Sequence, residues 1–208
     1  MKAEHFEILV EEQSIEAFLT PVLPRIIGDS ATFQIHAYQG KHDLLRKLGA
    51  RLRAYAKWLP ENSRIIVLVD RDDADCAKLK KQLEREAETA GLPSRFSVAG
   101  PAWRVANRIA IEELEAWYFG DWAGVRRAYP NVPRSIPNKA AYRSCDAIRG
   151  GTWEAFERIL RRAGYFQGGL RKVEAATRIG SAFSAADCVS PSFAAFRRVL
   201  LEAVGSHA

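Results

Sequence analysis

The chain has 208 residues, 48% of them apolar and 27% charged, which are the values of a globular domain large enough to bury a core. No apolar run approaches the roughly 18 residues that suggest a membrane span, so no membrane partner is expected, and the opening MKAEHFEILVEE is acidic and strand-like, unlike a signal peptide. The net charge is +6: residues 1–100 hold 15 Lys+Arg against 15 Asp+Glu, while residues 101–208 hold 16 against 10, and 14 of those 16 cations are arginine. Arginine forks match phosphate geometry, so a polyanionic partner and a merely solvated arginine-rich surface are equally good readings of the second half. The cysteines Cys76, Cys145 and Cys188 form no CxxC pair, which points to a reducing cytoplasm and away from a disulfide frame or a structural zinc site.

In chain order, HFEILVE (residues 5–11) reads as a strand. SIEAFLTPVLPRII reads as a helix from near Ser14, with Ile15, Phe18, Leu19 and Val22 on one face; Pro21 and Pro24 predict that it is short or kinked. FQIHAYQ alternates like a half-buried strand, and a strong amphipathic helix follows Gly40. RIIVLVD is short, continuous and rich in Ile and Val, the pattern of a central parallel strand covered on both faces. ADCAKLKKQLEREAETAG predicts a helix closed by Gly91, SRFSVAG a fourth strand, and RVANRIAI a fifth that runs into EELEAWYFGD. Alternating strands and helices define an α/β fold with a mostly parallel, Rossmann-like sheet.

From about residue 121 the segments WAGVRRAY, TWEAFERILRRAG, LRKVEAATRIGSAF and SFAAFRRVLLEAV all read as helices, separated by short Pro and Gly breaks. The expected division is an α/β domain over 1–120 and a helical extension over 121–208, packed on it as one unit. No internal repeat or low-complexity linker is visible.

Ligands of an open parallel sheet bind outside the carboxyl ends of its strands. The first strand ends at Glu11 and Glu12, and the third at Asp70, followed by Asp72, Asp73 and Asp75. If the two strands are neighbours, Glu11, Asp70 and Asp72 converge into a hard oxygen site suited to Mg2+ or Mn2+. Asp73 and Asp75 are better explained as helix caps or solvated groups. Asp70 resists that explanation because it closes the apolar run directly. Glu112, Glu113 and Glu115 follow another strand; Glu113 and Glu115 are candidate ligands for a second ion, with an acidic first helical turn as the equal alternative.

Trp117, Tyr118 and Trp122 fit core packing better than base stacking. Arg149-Gly150-Gly151-Thr152 stands at a helix start with Thr152 as its expected cap; a plain turn is favoured there over a phosphate cradle. His5, His36, His42 and His207 show no ligand spacing. The absence of a P-loop, GxGxxG and GxSxG gives no support to an ATPase, a dehydrogenase or a serine hydrolase.

The segments ILVEEQSIEAFL, IIVLVDRDDADC, RIAIEELEAWYFGD, AIRGGTWEAFERIL and GYFQGGLRKVEAA resemble, in order and spacing, the bacterial domain of unknown function 4276 family, which is regarded as Toprim-like. The resemblance implies a Toprim-like fold related to that of OLD-family nucleases. It implies a Mg2+ site for phosphoryl transfer, with Glu11 as metal ligand or acid–base and Asp70 and Asp72 as the Asp-x-Asp pair. Glu113 and Glu115 match further acidic ligands of OLD-type nucleases, and Lys139 is a weaker match to their transition-state lysine. Two positions depart from the Toprim pattern: Glu12 replaces the usual Gly, and Ile15, with Glu16 beside it, replaces an acidic residue.

The expected activity is therefore Mg2+- or Mn2+-dependent cleavage of DNA or RNA, with Glu11, Asp70, Asp72 and Lys139 as catalytic candidates. By the same resemblance a role in phage defence beside a separate ATPase is expected, and a homo-oligomer is compatible with the sequence. The alternative is a non-catalytic Toprim-shaped module that docks on nucleic acid or on an ATPase. A nucleotide-processing enzyme with a small phosphate substrate is a third.

Overall fold

A computed structural model describes residues 2–206, so His207 lies outside the described residues. Four parallel strands, β1 (His5–Val10), β2 (Thr32–Ala37), β3 (Ser63–Asp70) and β4 (Val105–Ala110), form one sheet in the order β2-β1-β3-β4. The fold is α/β, as its alternating pattern predicts. Every residue of β3 is buried, as expected of a continuous Ile/Val run that must be covered on both faces.

The covering layers follow from strand alternation. Phe6, Ile8, Val10, Ile66 and Leu68 face one core, which also takes residues of α1 (Gln13–Ile27), α4 (Glu115–Gly120), α5 (Trp122–Ala128), α6 (Thr152–Arg162), α7 (Lys172–Ala182) and α8 (Pro191–Val204). Leu9, Ile65, Val67 and Val69 face a second core under α2 (Lys41–Trp58) and α3 (Cys76–Thr89). The first core thus joins side chains from before and after residue 121. Trp117, Tyr118 and Trp122 are buried in it.

Two local expectations are corrected. The helix α1 runs unbroken for 15 residues through Pro21 and Pro24. Its face of Ile15, Phe18, Leu19, Val22 and Leu23 is buried, and Arg25 donates to Pro21 O at 2.9 Å and across to Ser181 O of α7 at 3.1 Å. Tertiary packing there outweighs the lost backbone donors. At the crossing a Cβ on Gly180 would stand 2.6 Å from Phe18 O and 2.9 Å from Pro21 Cγ, so glycine lets the two backbones approach.

The segment SRFSVAG is not a strand. Ser94 makes an isolated bridge to Val105, and Ser94 and Ser97 then bond reciprocally, amide to hydroxyl, to close a turn. These hydroxyls offer the backbone an alternative to the ladder. RVANRIAI therefore supplies the fourth strand, an edge, rather than a fifth.

Candidate metal centre

The register pairs Val10 with Leu68, which sets the end of β1 beside the end of β3. Glu11 and Asp70 meet there: Glu11 Oε1 accepts from the Asp70 amide at 3.0 Å. Both residues are buried, and Glu11 Oε2 and Asp70 Oδ1 have no hydrogen-bond partner among the described residues. Burial pushes the Glu11 carboxyl up to about 7, although the Asp70 amide and the Lys41 ammonium pull it down. Asp70 is pushed well above the usual carboxylate range, first by burial and then by the charges of Glu11, Glu115 and Asp72.

Glu115, the first residue of α4, is buried, and its charge acts on Asp70. Burial lifts its carboxyl to about 7, with Lys172 opposing the rise. The structure thus brings Glu11, Asp70 and Glu115 into one electrostatic group.

The other candidates have partners. Asp72 follows β3 in a left-handed conformation (φ 47°), is half exposed, and pairs with Lys41 Nζ at 2.6 Å. Its amide donates to Glu112 O at 3.0 Å, and the Glu112 carboxylate pairs with Arg71. Glu113 turns to the start of α6, where Oε2 accepts from the amides of Thr152 and Trp153 at 3.0 and 2.9 Å. Burial raises its pKa and the Trp153 amide lowers it. This carboxylate supplies the anion that a helix N-terminus favours, so no added phosphate is needed to satisfy those amides. The cap expected at Thr152 is corrected: Gly151, at φ 83°, precedes the helix, and the buried Thr152 hydroxyl lacks a partner among the described residues.

Asp75 caps α3 by accepting from the Lys78 amide at 2.9 Å. Glu12 is extended at φ −148°, a conformation any residue adopts, so the position needs no glycine, and Ile15 is core. Lys139 is exposed and lines a small cleft with Tyr142 and Arg162; the structure does not bring it into contact with the acidic edge.

Two cations that sequence reasoning missed stand at the edge instead. Lys41 opens α2 and reaches Asp72 and Arg71 O. Lys172 opens α7, 3.8 Å from Glu12 and over the Trp153 ring at 5.2 Å. Burial works to lower the Lys172 pKa, but Glu115, Glu12, Glu113 and Asp70 outweigh it and hold the ammonium above its ordinary value. The only sequence signal for either was its place in a first helical turn, where a lysine opposes the helix dipole.

Among the described residues no three His, Cys, Asp or Glu side chains stand in a ready ligand arrangement. The edge offers two converging carboxylates with orphaned oxygens, a third, buried, whose charge acts on Asp70, and a fourth tied to lysine. Hard oxygen donors of this kind fit Mg2+ or Mn2+ in chemistry. No helix among the described residues is long and apolar enough to cross a membrane. No curated protein and no solved structure gives a significant match to the chain. The family described as Domain of unknown function (DUF4276) matches residues 10–201, and the chain belongs to that family.

Proposed function

We propose that the protein is a Mg2+- or Mn2+-dependent phosphodiesterase acting on DNA or RNA, with a Toprim-like centre at the carboxyl edge of its sheet. The observation that carries this reading is the pair of buried, unpartnered oxygens, Glu11 Oε2 and Asp70 Oδ1, at adjacent strand ends. Buried polar atoms are nearly always satisfied, and two carboxylates this close are completed either by a proton shared between them or by a cation.

Glu11 and Asp70 would hold the ion. Glu115, and Asp72 once released from Lys41, complete the oxygen set. A bound divalent ion supplies Lewis-acid charge to a phosphoryl oxygen and lowers the pKa of water. Of the chain's own groups, Glu11, with its pKa near neutrality, can take or return a proton. Lys172 and Lys41 hold positive charge at the rim, where a phosphodiester arrives. Arg158, Arg161 and Arg162 line a cleft of about 500 Å³ on α6 together with Glu154 and Glu157, so only its arginine side offers charge to a nucleic-acid backbone. A separate ATPase partner and a role in phage defence belong to the same proposal and rest on the resemblance alone.

Calorimetry with Mn2+ and Mg2+ tests the centre without a guess at substrate. Saturable binding to the wild type that is lost in both Asp70→Ala and Glu11→Ala is the expected result, followed by metal-dependent cleavage of DNA or RNA. A second reading, a non-catalytic docking module, is favoured by the ties of Asp72 to Lys41 and of Glu113 to α6. It predicts no metal binding and full biological function in Asp70→Ala.

A further inference from the structure

A second cluster of charge lies outside the acidic edge and shares no residue with it. Lys80 of α3, Arg95 and Phe96 of the turn before β4, Arg108 of β4, and Arg198 and Glu202 of α8 line a cleft of about 250 Å³. Two of the cations are answered within the chain: Arg95 pairs with Glu202 at 2.9 Å, and Lys80 pairs with Glu84 and donates to Asn107 O. The other two are not. Among the described residues Arg108 donates to the neighbouring Asn107 O alone, at 3.2 Å, and its buried Nε has no partner there. Arg198 has no carboxylate partner among the described residues, and its charge acts on Arg108.

Burial lowers the Arg108 pKa and Arg95 and Arg198 lower it further, while Glu84 and Glu202 oppose them, so four cations (Lys80, Arg95, Arg108 and Arg198) face two carboxylates in a partly dry place. Such an arrangement is costly unless an anion completes it. Two guanidinium forks lining one cleft are suited to a phosphoryl group more than to a monovalent ion.

The rim adds a further feature. Phe96 is 78% exposed, the most exposed large apolar side chain of the described residues, and the Ser94–Ser97 turn presents it beside the arginines. An exposed ring beside paired arginines is the arrangement that stacks a base while its phosphate is held. The cleft is also larger than a lone oxyanion requires.

We propose that this cleft is a binding site for a nucleoside phosphate, with Arg108 and Arg198 on the phosphoryl group and Phe96 stacked on the base. The ligand is either a free nucleotide or the terminal nucleotide of a strand, since both offer the same chemistry. The site goes beyond the metal-dependent cleavage proposed above and does not depend on it.

The test is calorimetry of the full chain in EDTA at low ionic strength, with AMP, adenosine, inorganic phosphate and a short 5′-phosphorylated oligothymidylate as probes. Binding of AMP or the oligonucleotide by the wild type is expected, with adenosine about tenfold weaker or worse. Arg198→Ala, an exposed change that leaves the core intact, weakens the phosphorylated probes about tenfold, and Arg108→Gln does the same. Phe96→Ala weakens them while leaving inorganic phosphate unchanged. Asp70→Ala leaves all of these affinities unchanged, which separates this site from the acidic edge. AMP as tight as the oligonucleotide identifies a free nucleotide, and binding of the oligonucleotide alone identifies a strand end. Equal affinities in wild type and Arg198→Ala, adenosine as tight as AMP, or no binding of any phosphorylated probe overturns the proposal.

Discussion

Glu7 and Glu11 lie on one strand line, four residues apart and both buried, yet their surroundings are opposite. Glu7 sits beneath α2, where it accepts from the Tyr55 hydroxyl at 2.7 Å and contacts the His36 ring at 2.5 Å and the His5 ring at 3.2 Å. Burial works to raise its pKa, but the bonds from Tyr55, His36 and His5 outweigh burial and lower it. Glu11 has one amide for one oxygen and nothing for the other, and burial wins. Glu7 is thus a satisfied structural carboxylate and Glu11 an unsatisfied one. The difference lies in the partners and not in burial, which is why burial of a carboxylate alone never marks a site.

The comparison breaks first at Asp70. Asp70→Asn is expected to lower metal-dependent cleavage by about 1000-fold or more, because a neutral amide cannot replace an anionic ligand. The same change leaves stability nearly unchanged at neutral pH, because burial already favours the uncharged carboxyl at Asp70 and the amide is its neutral isostere. Denaturation curves beside initial rates check both halves; a strongly destabilised but active Asp70→Asn protein would contradict the assignment.

Glu7→Leu should do the reverse. It leaves the buried Tyr55 hydroxyl without its acceptor and should cost about 2 kcal/mol of stability. Metal affinity, measured by calorimetry below the unfolding transition, stays at the wild-type value.

Titration sharpens the contrast. Glu11 and Glu115 have folded pKa values raised to about 7 from the ordinary 4.5 of a glutamate. The folded state therefore holds protons that the unfolded chain has released, and stability falls as pH rises from about 4.5 to 7 in metal-free buffer. Glu11→Gln should flatten this slope by about 3 kcal/mol across the window. Glu7, with a lowered pKa, contributes stability that is present above 4.5 and lost as pH falls through its folded value. Glu7→Leu should flatten only that acid limb. Chemical denaturation at a series of pH values distinguishes the two, and saturating Mg2+ should remove the upper slope in the wild type but not in Glu11→Gln.

The smallest effect is expected at Glu113. Glu113→Gln weakens the charge at the α6 N-terminus and should cost about 0.5–1 kcal/mol. If Glu113 serves α6 rather than the metal, calorimetric affinity for Mn2+ changes by less than about threefold. A tenfold loss would move it back among the ligands.

Much of this was legible in the chain. The apolar run into Asp70 had to be a buried strand, and an anion closing such a run cannot be explained as a cap. Glu11 was legible for the same reason, and Asp75 as a cap from its place before a helical period. Local periodicity determined the α/β alternation, the helical second half and the aromatic core, because each depends on residues within a few turns of one another.

Only the tertiary structure decided the rest. The order β2-β1-β3-β4 makes Glu11 and Asp70 neighbours, and pairing between distant strands leaves no local mark. The same holds for Glu113, which two amides of α6 draw away from the acidic edge, and for Lys172, which arrives there from α7. Prolines that locally break a helix are carried through α1 by its packing on α7, and serines that locally resemble a strand close a turn. For the strand order, Glu113, Lys172 and the prolines a contact across the fold outweighs a local propensity, and such contacts exist only once the chain has folded; the serine turn is instead a local bond that competes with the ladder.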